Sequence, residues 1–499
     1  MKAAKKGGST EQVAVLFDFD NTIASTASIR DIRESGSYDQ LTAERLAKVA
    51  VYKPVTGLLR KLRSKSVKIG IITNSGGPYV KRLLDHLGLT DEFDVVVTYA
   101  DVGPEGKKPS PKGIQLALKK LGVSSSEKVL FVGDDDTDLI AAYHAGVTPV
   151  LPSWASRSPV STAPAIELSS QFLLDYADRP TEYRLFAEKS AELGSADFER
   201  RGVYFLPLDT ESNVVTVRQD MSTFCLGRYF SQRAATTALL HDRHPLSKHI
   251  AEKESGRPFA IPDYWVGAFA HAVQHGAEFM FPDGEGFDLV TVIPAKQGKD
   301  PRLERLLERL DARLEERGLE IECLPDVLSY SADARSQKSL HANERRLEAN
   351  RSLHLNPRRV KAIVGKRILV IDDVVTTGST MSRARELLLG AGAASVVGLA
   401  LAKTVSIVED ERQCPKCART LRVQRNKTTN ERFWGCSGYF EPGTPCNYSE
   451  PLITKPCPKC NRIMVVRINS RTGDKFWACT GYQQSPKCSH SEDFDPSEM

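Results

Sequence analysis

The chain has 499 residues, 41% hydrophobic and 26% charged, a composition ordinary for globular protein and unlike disordered or collagen-like chains. At about 150 residues per domain the length suits about three domains, and no apolar run approaches the roughly 20 residues of a membrane span, so no membrane association is expected. Net charge is +5, and the stretch from residue 411 onward alone carries the same excess, with 6 Lys and 8 Arg against 9 acids; a basic tail points to a polyanionic partner.

The first ten residues are basic with no apolar segment behind them, which argues against a secretory signal and predicts a cytoplasmic protein. Over 11–152, strand-like runs (Val13–Phe19, Ile69–Thr73, Val95–Thr98, Val129–Gly133) alternate with helical patterns (Val55–Ser64, Tyr79–Leu87, Pro111–Leu121). That alternation predicts an α/β domain with a doubly wound parallel sheet. Four polar clusters sit at carboxyl ends of its strands or between them. They are Asp18-Phe19-Asp20-Asn21-Thr22, Thr73-Asn74-Ser75, Lys107-Lys108-Pro109, and Gly133-Asp134-Asp135-Asp136-Thr137-Asp138. A carboxylate can attack phosphorus when a second acid two residues on manages the leaving-group proton. A hydroxyl and a lysine can hold the phosphoryl group, and further acids suit Mg²⁺.

The order and spacing of these clusters resemble the haloacid dehalogenase superfamily of phosphatases. The resemblance implies Asp18 as nucleophile, Asp20 as general acid/base, and Thr73 and Lys108 as phosphoryl-binding groups. It implies Mg²⁺ at Asp18, Asp20, Asp134 and Asp138, with Asp135 an alternate ligand. Only Ser25–Lys53 remains for a cap, room for one or two short helices. The expectation is an open cleft admitting a nucleic-acid end, or a neighbouring domain closing over a small phosphorylated nucleotide.

Residues 153–200 begin Pro/Ser-rich and read as a linker with connecting helices. A second doubly wound α/β pattern covers 201–408. Its clearest run is 368–380, Ile-Leu-Val-Ile-Asp-Asp-Val-Val-Thr-Thr-Gly-Ser-Thr. An apolar strand ends in Asp372 and Asp373, a hydroxyl-rich loop follows, and a helical pattern starts at Met381. Ligands bind at such strand ends in parallel sheets. Backbone N–H groups from Thr376 to Thr380 can cradle a phosphate, and paired carboxylates suit ribose hydroxyls, directly or through Mg²⁺. This run resembles the phosphoribosyl-diphosphate (PRPP) loop of type I phosphoribosyltransferases. It implies PRPP contacts from Asp372, Asp373, Thr376, Thr377, Gly378, Ser379 and Thr380. The strand from Asp288 ends in a tight turn before Lys296, which resembles the pyrophosphate loop of that family. Gln337, Leu340, Arg345, Arg346 and Asn350 resemble the mobile loop of its ComF-type members, implying a PRPP contact from Arg346. Ser395–Ala402 reads as the closing strand, and Leu399–Thr404 also looks like that family. The cysteine pair that often precedes the core in ComF-type chains is absent here. The cluster His241-Asp242-Arg243-His244 with His249 reads as a polar surface helix.

Eight of the ten cysteines follow residue 410. Cys414-x₂-Cys417-x₁₈-Cys436-x₉-Cys446 is followed by Cys457-x₂-Cys460-x₁₈-Cys479-x₈-Cys488, with six landmarks repeated at an offset of 43. Each quartet suits a closed Zn²⁺ site in a module too small to bury a core, here 411–452 and 454–492. This is metal usage in a reducing compartment; Cys225 and Cys323 read as buried small residues. Both repeats read Phe-Trp-x-Cys-x-Gly-Tyr and resemble the C-terminal zinc ribbons of type I DNA topoisomerases. The resemblance implies binding of single-stranded DNA or RNA, with Trp434, Tyr439, Trp477 and Tyr482 as stacking platforms and Arg422 and Arg467 among the cations.

The expectation for the whole is a multidomain enzyme: a Mg²⁺-dependent phosphatase and PRPP-dependent phosphoribosyltransferase brought to nucleic acid by two zinc ribbons, in repair, salvage or defence. The alternative is a PRPP-sensing, nucleic-acid-binding regulator with a silent transferase fold. The oligomeric state is open.

Overall fold

The computed structural model describes residues 13–197, 204–216, 221–253, 258–280, 285–332, 342–407, 411–429, 431–469 and 471–494. The chain divides into two compact units, Met1–Tyr229 with His244–Val405, and Phe230–Arg243 with Ser406–Met499.

The first unit holds two sheets. The N-terminal sheet has strands β1 (Ala14–Phe17), β2 (Lys68–Ile72), β3 (Val95–Val97), β4 (Val129–Val132), β5 (Thr148–Pro152) and β6 (Ile166–Leu168) in the order β3-β2-β1-β4-β5-β6. All pairs are parallel. The central strands are apolar at every position because both faces are covered. Period-two alternation sends Val15 and Phe17 into one core with the helices Val55–Ser64 and Gly77–Leu87. It sends Ala14 and Leu16 into the other, with Lys112–Leu121 and Asp136–His144. Every carboxyl end therefore opens on one edge of the sheet.

The expected linker is largely folded. Ile166–Leu168 adds the sixth strand, and Leu173 and Tyr183 join the core behind it. Phe186, Ala187 and Ala191, on the helix Phe186–Leu193, belong instead to the core of the second sheet. The Pro/Ser-rich start concealed an apolar strand of only three residues.

The second sheet comprises β7 (Leu206–Leu208), β8 (Thr223–Cys225), β9 (Arg228–Phe230), β10 (Leu289–Val292), β11 (Glu322–Cys323), β12 (Arg367–Val375) and β13 (Ser395–Val405). The order is β11-β10-β12-β13-β8-β7, with β9 also on β13. From β11 to β8 the strands are parallel, and β7 closes the edge antiparallel. The helix Arg302–Glu316 covers one face with Leu303, Leu306, Leu307, Leu310 and Leu314, a single apolar stripe. A two-stranded ribbon, Leu328–Tyr330 with Leu353–Leu355, stands beside the sheet.

The second unit is the tail plus one helix. The first module pairs Leu421–Arg425, Arg432–Cys436 and Ser449–Pro451 antiparallel. The second pairs Thr454–Pro456, Ile463–Ile468, Lys475–Cys479 and Ser491–Asp493. The helix Ala235–Arg243 packs with the first module: Ala235 touches its cysteine core, and Asp242 accepts from Arg432 Nε at 2.7 Å and from Arg425. His241 is buried on this helix, so the histidine cluster is not a polar surface helix. No helix among the described residues is long and apolar enough to cross a membrane.

Candidate active sites and metal centres

Asp18 follows β1, Thr73 follows β2 and Asp134 follows β4, so parallel pairing gathers them at one edge. Carboxylate oxygens of Asp18, Asp134 and Asp138 lie within 4.8 Å of one another. Lys108 Nζ donates to Asp18 Oδ1 at 2.5 Å and also to Asp138. Burial first, then crowding by Asp134 and Asp20, pushes Asp18 up to about 7 against the pull of Lys108. Burial and the Asp138 and Asp135 charges likewise push Asp134 up to about 7. Three carboxylates that repel one another in a buried site fit a divalent cation, and Mg²⁺ takes carboxylates and water. Thr22 Oγ1 donates to Asp134 Oδ1 at 2.9 Å and fixes that carboxylate.

Asp20 is not part of the trio. Its Oδ2 accepts from Ser75 Oγ at 2.6 Å and its Oδ1 from Tyr79 OH at 2.8 Å, while Arg33 Nη1 lies 3.4 Å away. A carboxylate so engaged serves proton transfer rather than metal ligation, which corrects its expected place among the Mg²⁺ ligands. Asn74 accepts from Lys108 N at 2.8 Å and aims the lysine loop.

The cleft is not open. The short segment between Ala24 and Val51, whose ends pair as strands, carries the helix Arg30–Ser35 that supplies Arg33. Tyr38 tilts against Tyr79 with ring centroids 5.8 Å apart. Asp18 and Asp20 are each 6% exposed and Lys108 7%.

In the second sheet, Asp372 and Asp373 end the apolar part of β12 as expected. Asp373 is saturated: Lys253 Nζ donates to its Oδ2 at 2.9 Å and Arg302 Nε at 2.8 Å. Burial opposes its ionisation, but these two cations outweigh it and hold the carboxyl well below the usual range. Asp372 is pushed up to about 7 by burial and by Asp373 beside it. Gly378 caps the helix Ser379–Gly390 with φ 68°, and a Cβ there would lie 1.8 Å from Ser212 Oγ, so only glycine fits. Thr376 Oγ1 is 2.9 Å from Thr404 Oγ1, and Thr377 Oγ1 is 3.0 Å from Ser379 Oγ. Lys403, opposite Val375 on β13, donates to Thr376 O at 2.6 Å. Tyr330 is hydrogen-bonded to Thr380, and Lys296 Nζ sits 4.8 Å from the Tyr330 ring. Gln337, Leu340 and the side chains of Arg345 and Arg346 lie outside the described residues.

Each cysteine quartet brings its four sulfurs within 4.8 Å of one another. Cys414–Cys446 and Cys417–Cys436 are 3.7 and 3.4 Å apart, and Cys457–Cys488 and Cys460–Cys479 are 3.8 and 3.5 Å. A tetrahedron with Zn–S bonds of about 2.3 Å has edges of about 3.8 Å, so both quartets fit zinc. Gly438 N and Gly481 N each donate to a cysteine sulfur at 3.3 Å. Trp434 and Trp477 are not platforms: they are 6% and 1% exposed and lie under Arg412 and Lys455. Tyr439 and Tyr482 are 56% and 58% exposed, and Arg422 and Arg467 are exposed as well.

Comparison with known families assigns each part. Residues 30–151 match the haloacid dehalogenase-like hydrolase family, 319–439 the phosphoribosyl transferase domain, and 454–497 the topoisomerase DNA binding C4 zinc finger. The chain joins a haloacid dehalogenase-like hydrolase domain, a phosphoribosyltransferase domain and topoisomerase-type zinc ribbons. Similar curated proteins match the hydrolase part. A phosphoglycolate phosphatase of Yersinia pestis is 41% identical over 96 residues, 19% of this chain and 40% of that protein. One from Rhodospirillum rubrum is 34% identical over 128 residues, 26% and 52% of the two chains. The pyrophosphatase PpaX of Bacillus cereus is 36% identical over 109 residues, 22% and 49%. The chain spans about half the length of these curated relatives. A solved phosphatase of this superfamily from Thermococcus onnurineus is 25% identical with a TM-score of 0.28, covering 33% of this chain and 97% of that one. CbbY from Rhodobacter sphaeroides is 20% identical with a TM-score of 0.24, covering 30% and 93%.

The hydrolase and transferase sites share a wall, the loop 153–165 after β5. Trp154 Nε1 donates to Thr22 O at 3.0 Å, and Ser161 N and Thr162 N donate to Asp136 of the hydrolase acid cluster at 3.1 and 2.6 Å. Val160 bridges Val214, and Arg157, also paired with Glu167, donates to Val214 O at 3.1 Å. Val214 closes the turn whose Ser212 rests on Gly378 of the transferase loop. Sequence reading missed Arg33, Ser75, Tyr79, Arg157, Lys253 and Arg302. Ser75 alone carried a signal, two residues beyond Thr73 in the same cluster.

Proposed function

We propose that the protein hydrolyses small phosphate compounds at the hydrolase site, transfers phosphoribosyl groups from PRPP at the transferase site, and binds nucleic acid through its ribbons. The observation that carries the reading is the pair of acidic strand ends, Asp18 with Asp134 and Asp138, and Asp372 with Asp373, each backed by lysine or arginine. Asp18 attacks phosphorus to form an aspartyl-phosphate, Thr73 and Lys108 hold the phosphoryl oxygens, and Asp20 gives a proton to the departing oxygen and takes one from water. Mg²⁺ bound at Asp18, Asp134 and Asp138 offsets the charge of nucleophile and phosphate. The closed cleft and the named relatives favour a small substrate, such as a phosphorylated nucleotide, over a polymer end.

At the transferase site, Thr376, Thr377, Gly378, Ser379 and Thr380 cradle the 5′-phosphate, Asp372 and Asp373 face the ribose, and Lys296 and Arg346 serve the diphosphate. The enzyme positions groups and neutralises charge while diphosphate leaves the anomeric carbon. The free cysteines suit a reducing cytoplasm. A PRPP-sensing regulator is the second reading, favoured by the closed ion pairs on Asp373. Diphosphate release from PRPP, with candidate bases or nucleic acid added, separates the two. Asp372→Asn with Asp373→Asn is expected to abolish PRPP binding while phosphatase activity persists; unchanged PRPP affinity overturns the assignment.

A further inference from the structure

We infer that the hydrolase site takes inorganic diphosphate, the leaving group of the transferase beside it. The inference rests on the transferase reading above and deepens the hydrolase one.

Size is the first argument. The reacting groups lie deep, and Tyr38 closes the mouth: a Cβ on Gly76 would lie 2.4 Å from the Tyr38 hydroxyl. A compact substrate fits such a space better than a nucleoside or a polymer.

Charge is the second. Arg33 reaches in from the short cap, its side chain 24% exposed and its Nη1 3.4 Å from Asp20 Oδ1. Asp20 is the group that meets the leaving oxygen, so Arg33 stands where the departing half of the substrate lies. An ester of a sugar or alcohol presents that cation with a neutral group. Diphosphate presents a second phosphate, whose oxygens suit a guanidinium fork.

Placement is the third. The loop 153–165 touches the hydrolase through Thr22 and Asp136 and reaches the transferase loop through Val214 and Ser212. Phosphoribosyl transfer releases diphosphate on the far side of that wall, and its removal draws a reversible transfer forward.

The chemistry balances. A carboxylate oxygen of Asp18 bonds to one phosphorus, and the bridging P–O bond breaks with its electron pair leaving on the second phosphate. Asp20 supplies the proton to that oxygen. Water then attacks the phosphorylated Asp18, giving its proton back to Asp20. Diphosphate and water yield two phosphates, and both aspartates are restored.

The test uses the full-length protein with Mg²⁺ and compares kcat/KM for diphosphate, 5′-AMP, phosphoglycolate and p-nitrophenyl phosphate. Diphosphate is expected to lead, and Arg33→Ala to lower the ratio of diphosphate to p-nitrophenyl phosphate by about tenfold or more, as loss of a charged hydrogen bond does. Arg33→Lys should restore part of that ratio. Calorimetry with methylenediphosphonate on Asp18→Asn gives a readout without turnover, and adding Arg33→Ala should weaken binding. A monoester preferred over diphosphate, or a ratio unmoved by Arg33→Ala, overturns the inference while PRPP binding still upholds the transferase reading. Diphosphate hydrolysis by a protein that binds no PRPP overturns the transferase reading and the coupling together.

Discussion

Arg228 and Glu188 form a buried two-bond ion pair, Nε to Oε1 at 2.7 Å and Nη2 to Oε2 at 2.9 Å. Arg228 also donates to Tyr143 OH at 3.0 Å, and Tyr143 lies on the hydrolase helix that carries Asp138. The pair thus ties the transferase strand β9 to the metal-acid helix of the other domain.

Removing one partner leaves the other charge buried, so Glu188→Gln should cost about 3–5 kcal/mol, read as a lower urea midpoint. The pH dependence has a defined sign. Burial opposes ionisation of Glu188, but Arg228 and His244 win and hold it well below its ordinary 4.5. Burial likewise depresses His244 below 6.5. Both shifts mean that the unfolded chain takes up protons first. Stability should be full above about pH 6.5, fall as the His244 position must charge, and fall again below about 4.5. Denaturant midpoints across pH 4–8 that stay flat would contradict this.

The two acids of the transferase loop should separate function from stability. Asp372 carries a raised value of about 7, so its ionised form costs the fold stability as pH rises from 3.8 through 7. Asp372→Asn removes that cost and should leave Tm unchanged or higher at pH 8 while weakening PRPP binding about tenfold or more. Asp373→Asn should lower Tm, because Lys253 and Arg302 lose their shared partner. Equal Tm losses for both variants would refute the distinction.

The catalytic clusters were legible because parallel pairing puts every carboxyl end on one edge, so Asp18, Thr73 and Asp134 meet whatever their separation. Arg33, Lys253 and Arg302 were not legible. An arginine on a short helix, or a lysine after one, reads as solvated surface until packing turns it inward. Ile166–Leu168 hid behind prolines because three residues carry too little periodicity. The tryptophans held an unused signal. Trp434 and Cys436 are two apart on one strand, as are Trp477 and Cys479, so each ring shares the face of a metal ligand and must point inward.

Asp242 restrains two arginines of the first ribbon. Although burial works against it, Arg432 and His241 hydrogen bonds and the Arg432 and Arg425 charges hold its carboxyl well below the ordinary range. Arg432 is 5% exposed and also reaches Gln232 Oε1 at 2.9 Å, whereas Arg425 is 34% exposed. Asp242→Asn should therefore free Arg425 for a phosphate and leave Arg432 poorly compensated. The salt dependence of single-strand binding should steepen by about 0.7 in log–log slope, the value of one added phosphate contact. Zinc should leave the first ribbon at a lower temperature. A shallower slope would mean that Asp242 does not mask a binding arginine.

The final contrast is between Tyr482 and Trp477, five residues apart on the second ribbon. Tyr482 is exposed with Lys487 Nζ 4.2 Å from its ring centroid, an aromatic face with a cation beside it. Trp477 packs against Phe494 with ring centroids 5.8 Å apart inside the cysteine core. Tyr482→Ala should lose about 1–3 kcal/mol of single-strand affinity, the worth of one stacked base, with both zinc ions retained. Trp477→Ala should release zinc from the second ribbon and lose affinity only as a consequence of unfolding, because so small a module depends on its metal. Chelation of the wild type should reproduce the Trp477→Ala result and leave the hydrolase and transferase sites, in the other unit, folded. Metal content and fluorescence anisotropy on the same samples decide it: loss of zinc from Tyr482→Ala, or full affinity in a zinc-depleted ribbon, would reverse the assignment of surface and core.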